Sequence, residues 1–140
     1  MASAEENVVS LETAKRLFEA GIVVDSHWHW IEDDIEQWLS QTGGYNKVNS
    51  IWQSYPASTA EELLTVLPKR IDANLFDLCI KYYVWGEHNI KACYQYFVPD
   101  ANEPRKDDKY SVFSNSLCEA LAELAIKLKE AGYELNKFDK

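Results

Sequence analysis

The chain has 140 residues, 46% of them hydrophobic and 13% aromatic, which is material for one domain with a real core. A chain of this length buries roughly 68% of its unfolded surface, so disorder through most of its length is excluded. The 14 basic residues against 23 acidic ones give a net charge of −9, a field that repels phosphate backbones and anionic lipid. No nucleic-acid or membrane partner is therefore expected. No run of eighteen apolar residues is present to span a bilayer. The opening "MASAEENVVS" lacks the basic start and apolar run of a signal peptide, which leads to the expectation of a cytoplasmic protein.

In chain order, residues 1–9 are expected to fray, as are 136–140. Ser10 can cap a helix through "LETAKRLFEA", with Leu11, Ala14, Leu17 and Phe18 on one face. Gly21 then stops it in the left-handed position and Ile22 packs back over the last turn. The stretch "VVDSHWHW" follows, an apolar strand carrying Asp25, His27 and His29. Alternation puts both histidines on one face and Trp28 with Trp30 on the other, so the tryptophans are expected in the core and the histidines on the open side. The acids, the Gly43-Gly44 pair and the polar tail of "EDDIEQWLSQTGGYNKVNS" read as a mobile insertion over 35–53, opening with a helical turn around Ile35, Trp38 and Leu39. Ser58 and Glu61 form a capping box for a second helix with Ala60, Leu63, Leu64 and Leu67 inward, ended by Pro68.

Two alternating stretches, "LFDLCIKYYVWGEHNIKACYQYFV", read as a hairpin. Phe76, Leu78, Ile80, Tyr82 and Val84 share a face with Ile90, Ala92, Tyr94, Tyr96 and Val98. Only an odd turn keeps those faces together, and one centred on Glu87 sets Val84 opposite Ile90. Cys79 and Cys93 are then diagonal neighbours, unfavourable for a disulfide. The odd count of three cysteines, without CxxC spacing, suits reduced structural thiols. "YSVF" supplies a further strand, with Arg105, Lys106 and Lys109 before it diluted by Asp107 and Asp108. Ser116 and Glu119 open a last helix with the stripe Leu117, Leu121, Leu124 and Leu128, an exposed Glu123–Lys127 pair, and Gly132 with Tyr133 repeating the Gly21–Ile22 ending. The expected fold is α+β in one domain: an antiparallel sheet of three or four strands with helices on one face, in the order helix, strand, helix, hairpin, strand, helix.

The candidate chemistry is sparse. Asp25, His27 and His29 have the Asp-x-His-x-His form that opens metal-dependent hydrolases, but a catalytic zinc needs a third protein ligand plus an open position. The barrel enzymes with that opening run to ~250 residues. No Walker loop, GxGxxG or GxSxG is present, and Glu32, Asp33, Asp34 and Glu36 lack EF-hand spacing. No cofactor is expected. Five tryptophans and eight tyrosines exceed what a core this small needs. Lys81, Tyr83, Trp85 and Phe97 fall opposite the hydrophobic face, where they form an aromatic interaction surface unless another segment covers it.

The segments "SLETAKRLFEAGI", "YPASTAEELLTVLP", "IKYY" and "VFSNSLCEALAELAIKLKEAGY" resemble small prophage- and mobile-element-borne proteins of gut bacteria over about half the chain. That group carries a helix ending in EAG, a "YxAPTxxEL" helix start and a closing "ADALAxLLIWL" helix. The resemblance implies no activity and no catalytic residues, and the stretch from Ile35 to Ser50 departs from it. "SNSLCEALAELAIKL" after a strand meander is also similar to HicB-like antitoxin domains. The expected function is a non-enzymatic protein-interaction module of a phage or mobile element, acting through a protein partner or by self-association as a homodimer. The alternatives are a HicB-like inhibitor and a small metal-dependent hydrolase using Asp25, His27 and His29.

Overall fold

The computed structural model describes residues 7–22, 26, 28–32, 37–41, 53–72, 75–84, 89–96 and 107–135. Along them run α1 (Leu11–Glu19), β1 (Trp28–Glu32), β2 (Gln37–Gln41), β3 (Gln53–Pro56), α2 (Ala60–Val66), β4 (Arg70–Ile71), β5 (Phe76–Tyr82), β6 (Ile90–Tyr96), β7 (Lys109–Ser114) and α3 (Leu117–Glu130). The class is α+β, as expected. The strand pairing is richer than expected: β2-β1-β3 make a three-stranded antiparallel sheet, separate from the four-stranded meander β4-β5-β6-β7. The stretch 35–53, read as a mobile insertion with a helical turn, contains β2, and Trp38 pairs with Ile31 across from β1. The tract before Ser10 is anchored from Val8 onward instead of frayed. Val8 and Val9 are buried, and the Val9 amide donates to the Ser58 carbonyl at 3.0 Å.

Local signals place the helix ends. The Ser10 hydroxyl accepts from the Thr13 amide, and Gly21 sits at φ +78° with the Ile22 amide reaching the Leu17 carbonyl at 3.0 Å. Gly132, at φ +93°, and Tyr133 repeat this closure on Leu128 at the end of α3. Both are Schellman motifs, which need a residue at positive φ. The cap of α2 differs from expectation by one residue. Thr59, not Ser58, forms the capping box with Glu62, and Leu63 and Val66 are buried while Leu64 is exposed. Leu67 is extended at ψ 129° ahead of Pro68, as a residue before proline should be.

In the meander the face assignment is as expected and the register is not. Tyr82 pairs with Ile90, Ile80 with Ala92 and Leu78 with Tyr94, two residues from the expected pairing. Cys79 therefore lies directly opposite Cys93. The Tyr83 amide donates to the Asn89 carbonyl at 2.7 Å, which marks Lys81–Lys91 and Cys79–Cys93 as hydrogen-bonded pairs by alternation. Side chains of such pairs stand further apart than those of the intervening pairs, and all three cysteines are free. The disulfide is disfavoured as expected, for a different reason.

α3 packs on β6 and β7 and against α1 and α2. Its burial exceeds a single stripe: Cys118, Ala120, Leu121, Ala122, Leu124, Ala125, Ile126 and Leu128 are all buried. Glu123 turns away from Lys127 to pair with Arg16 of α1, and Lys127 donates to the Ser111 carbonyl of β7 at 3.2 Å. Glu119 likewise does not complete its own capping box. Its carboxylate accepts from the Ser10 amide at 2.9 Å, so α3 supplies the capping-box carboxylate that α1, with Thr13 at that position, does not. Trp30 is buried as expected and donates its indole N–H to the Val9 carbonyl at 2.8 Å. Tyr94 crosses the core and donates to the Pro68 carbonyl at 2.7 Å, and burial holds its hydroxyl protonated far above the usual tyrosine range.

Candidate interaction surface

The four-stranded sheet outruns its helices at the β5–β6 end. Tyr82, the last residue of β5, occupies the helix-facing side by alternation, yet it is 68% exposed, and Val84 just beyond the strand is 92% exposed. On the other side Tyr83 is 40% and Phe113 53% exposed. Strand pairing brings these groups together: Lys81 stands opposite Lys91, and Lys91 opposite Phe113, in one row across β5, β6 and β7. The Lys91 ammonium lies 5.7 Å from the centre of the Phe113 ring, a cation–π contact. Asn115 holds the next row by accepting from the Asn89 amide at 3.1 Å.

The face away from the helices is therefore open at one end and covered further along. Lys91 donates to Asp108 at 2.9 Å, with both side chains largely buried, and Cys93 beneath them is fully buried. The hydrogen bond between them raises the Lys91 ammonium and lowers the Asp108 carboxyl from their ordinary values, so the pair stays charged. Lys81 makes no ion pair among the described residues. Of the four surface residues expected from sequence, Lys81 and Tyr83 lie here together, while Trp85 and Phe97 lie outside the described residues. Sequence reading missed Tyr82, Val84 and Phe113. Alternation correctly assigned Tyr82 to the helix side, but it carries no information on where the helices end.

A second polar cluster, also unforeseen, sits where β4, β7 and the segment after α3 meet. Asp72 accepts from Lys109 at 2.5 Å and from the Tyr133 hydroxyl at 2.6 Å, and the Tyr110 hydroxyl stands 3.5 Å from that of Tyr133. Lys109 also lies 4.7 Å from the centre of the Phe76 ring. Asp72 and Tyr110 have φ of 54° and 56°, a backbone region costly for residues with a side chain. The hydrogen bond to Asp72 pushes the Tyr133 phenol well above its usual range, and the same carboxylate raises Lys109. These bonds make the cluster a clamp holding a strained corner.

The remaining chemical candidates are dispersed. His29 is half-buried on β1 opposite Ser40 and Pro56, while Asp25 and His27 lie outside the described residues. The histidine face is not simply open, because Ile31, two residues along it, is fully buried. Among the described residues no group of three or more His, Cys, Asp and Glu side chains could hold a metal ion. Burial and the Asp108 carboxylate push the Cys93 thiol up to about 11, and burial raises Cys118 as well. Both remain protonated thiols, unsuited to nucleophilic attack. No helix among the described residues is long and apolar enough to cross a membrane. No protein-family model, curated protein or solved structure matches the chain.

Proposed function

We propose that this chain is a protein-interaction module of a phage or mobile element, self-associating through the open end of its four-stranded sheet. The observation that carries this reading is the set of exposed large side chains at that end, Tyr82, Tyr83, Val84 and Phe113. Aromatic side chains bring large contact area at low entropic cost and dominate the energetics of protein contacts. Sedimentation velocity over a concentration series tests it. The wild type should pass from monomer to dimer in the micromolar range, and Tyr83→Ala should weaken that dimer about tenfold, as loss of an interface aromatic does. Identical monomers for both proteins at every concentration would contradict the reading.

A second reading draws on element order. The meander β5, β6, β7 followed by α3 has the order of HicB-like antitoxin domains, and a net charge of −9 suits a basic protein partner. A small basic reading frame beside the gene would favour it; an unrelated neighbourhood would count against it.

A further inference from the structure

The two edges of the four-stranded sheet are treated differently. β7 is blunted: it carries an extra residue relative to β6 between Ala92 and Tyr94, with Tyr110 at positive φ, and Lys127 occupies its Ser111 carbonyl. Such bulges and cationic caps keep an edge from pairing. Among the described residues β5 has no comparable protection. β4 covers only its start, through Arg70–Asp77 and Ile71–Phe76, and the Leu78 amide is taken by the Lys69 carbonyl at 2.8 Å. Among the described residues no strand pairs with this edge beyond that point. Since Leu78 points its amide to the β4 side, alternation points the N–H and C=O groups of Ile80 and Tyr82 the same way. The edge "IKYYV" carries one charge, no proline and three exposed large side chains.

We infer that β5 pairs edge to edge with β5 of a second copy of this chain, antiparallel, with Tyr82 on the two-fold axis. This rests on the self-association reading above and names its geometry. Three constraints narrow the register, and a two-fold at Tyr83, which they allow, leaves Ile80 out of the ladder within the stretch from Ile80 to Val84. Hydrogen bonding across the free edge requires even-numbered residues to face even-numbered residues, because only those point outward. A two-fold at Lys81 would set the two Lys81 ammoniums directly opposite one another, which like charges oppose. A two-fold at Ile80 would draw Leu78 into the new ladder, and its amide is already used. With the axis at Tyr82, Tyr82 faces its own copy, Ile80 faces Val84, and Lys81 faces Tyr83. Apolar groups then meet apolar groups on the helix side, and the unpaired cation meets an aromatic ring on the other. The result is one continuous sheet through both copies.

Cysteine cross-linking in a Cys79→Ser background tests the register directly. Lys81→Cys and Tyr83→Cys proteins, differing in tag length, are mixed and oxidised with a mild disulfide reagent. The pairing expects mixed disulfides between the two variants and little disulfide within either one alone. It also expects Tyr82→Lys to abolish the dimer and Leu64→Ala, exposed on α2 and outside the sheet, to leave it unchanged. A dimer that links Lys81→Cys to itself, or that survives Tyr82→Lys, would overturn edge pairing while leaving self-association intact. A wild-type protein that never leaves the monomer would overturn both.

Discussion

Ser58 and Thr59 sit side by side, and each has a glutamate three residues on, so the string "STAEE" satisfies a capping box in either register. Burial decides between them. The Ser58 carbonyl takes the Val9 amide, its side chain is buried, and its hydroxyl has no partner among the described residues. Thr59 is left to cap, and its amide bonds the Glu62 carboxylate, which also accepts from the Ser26 hydroxyl at 2.8 Å. Thr59→Ala should therefore cost about 1 kcal/mol. Ser58→Ala should be neutral or stabilising, since it removes a buried unpaired hydroxyl. Urea unfolding of the two variants checks this, and the reverse order would restore the Ser58 cap. Cys93 carries a pH consequence at the same scale. Its thiol is raised from 9.0 to about 11 in the fold, so between those values the folded chain binds more protons than the unfolded one. Stability must fall as pH rises through that window. Lys91 and Lys109, raised by their carboxylate partners, act in the same direction at higher pH, their contribution being complete below the unfolded lysine value. Cys93→Ala should flatten the first part of that decline in unfolding melts between pH 8 and 10.

At the scale of elements, what could be read from sequence was what local chemistry decides. The Gly21 and Gly132 endings, the stop at Pro68 and the alternation of β5 and β6 depend on neighbours in the chain, and all four are found. The misses were non-local. Face parity fixes whether a hairpin pairs odd with odd, but it does not separate registers two residues apart, and β5–β6 settled on the neighbouring one. β2 escaped because acids and a glycine pair surround its Trp38-Leu39, and its strand state is set by pairing with β1. Burial of Val8 and Val9 likewise depends on α2 having its cap beside them. The open sheet end was half legible: Lys81 and Tyr83 follow from alternation, whereas Tyr82 depends on where the helices stop covering the sheet and Phe113 on the pairing of β7 with β6. The capping assignment yields a clean test. A Cβ at Gly132 would meet nothing within 4 Å, so Gly132→Ala probes backbone conformation alone. It should cost about 1 kcal/mol by urea unfolding, the penalty for a side chain in the left-handed region.

For the whole molecule, charge and shape act against each other. Lys15, Arg16, Arg70, Lys91 and Lys109 are spent on ion pairs within the fold, and the chain still carries −9. Two copies repel at long range, while the hairpin end offers aromatic surface together with a strand edge and a Lys81 that have no partner among the described residues. Screening falls to about 10 Å at 0.1 M salt, so added salt should weaken the repulsion and tighten the dimer. An interface built on ion pairs would loosen instead. Self-association through the open end of the sheet is tested most directly by sedimentation equilibrium of the wild-type chain at near-physiological salt, from low micromolar to hundreds of micromolar. The average mass should rise smoothly from 16.1 kDa toward twice that value. A mass that stays at 16.1 kDa across the whole range would contradict self-association.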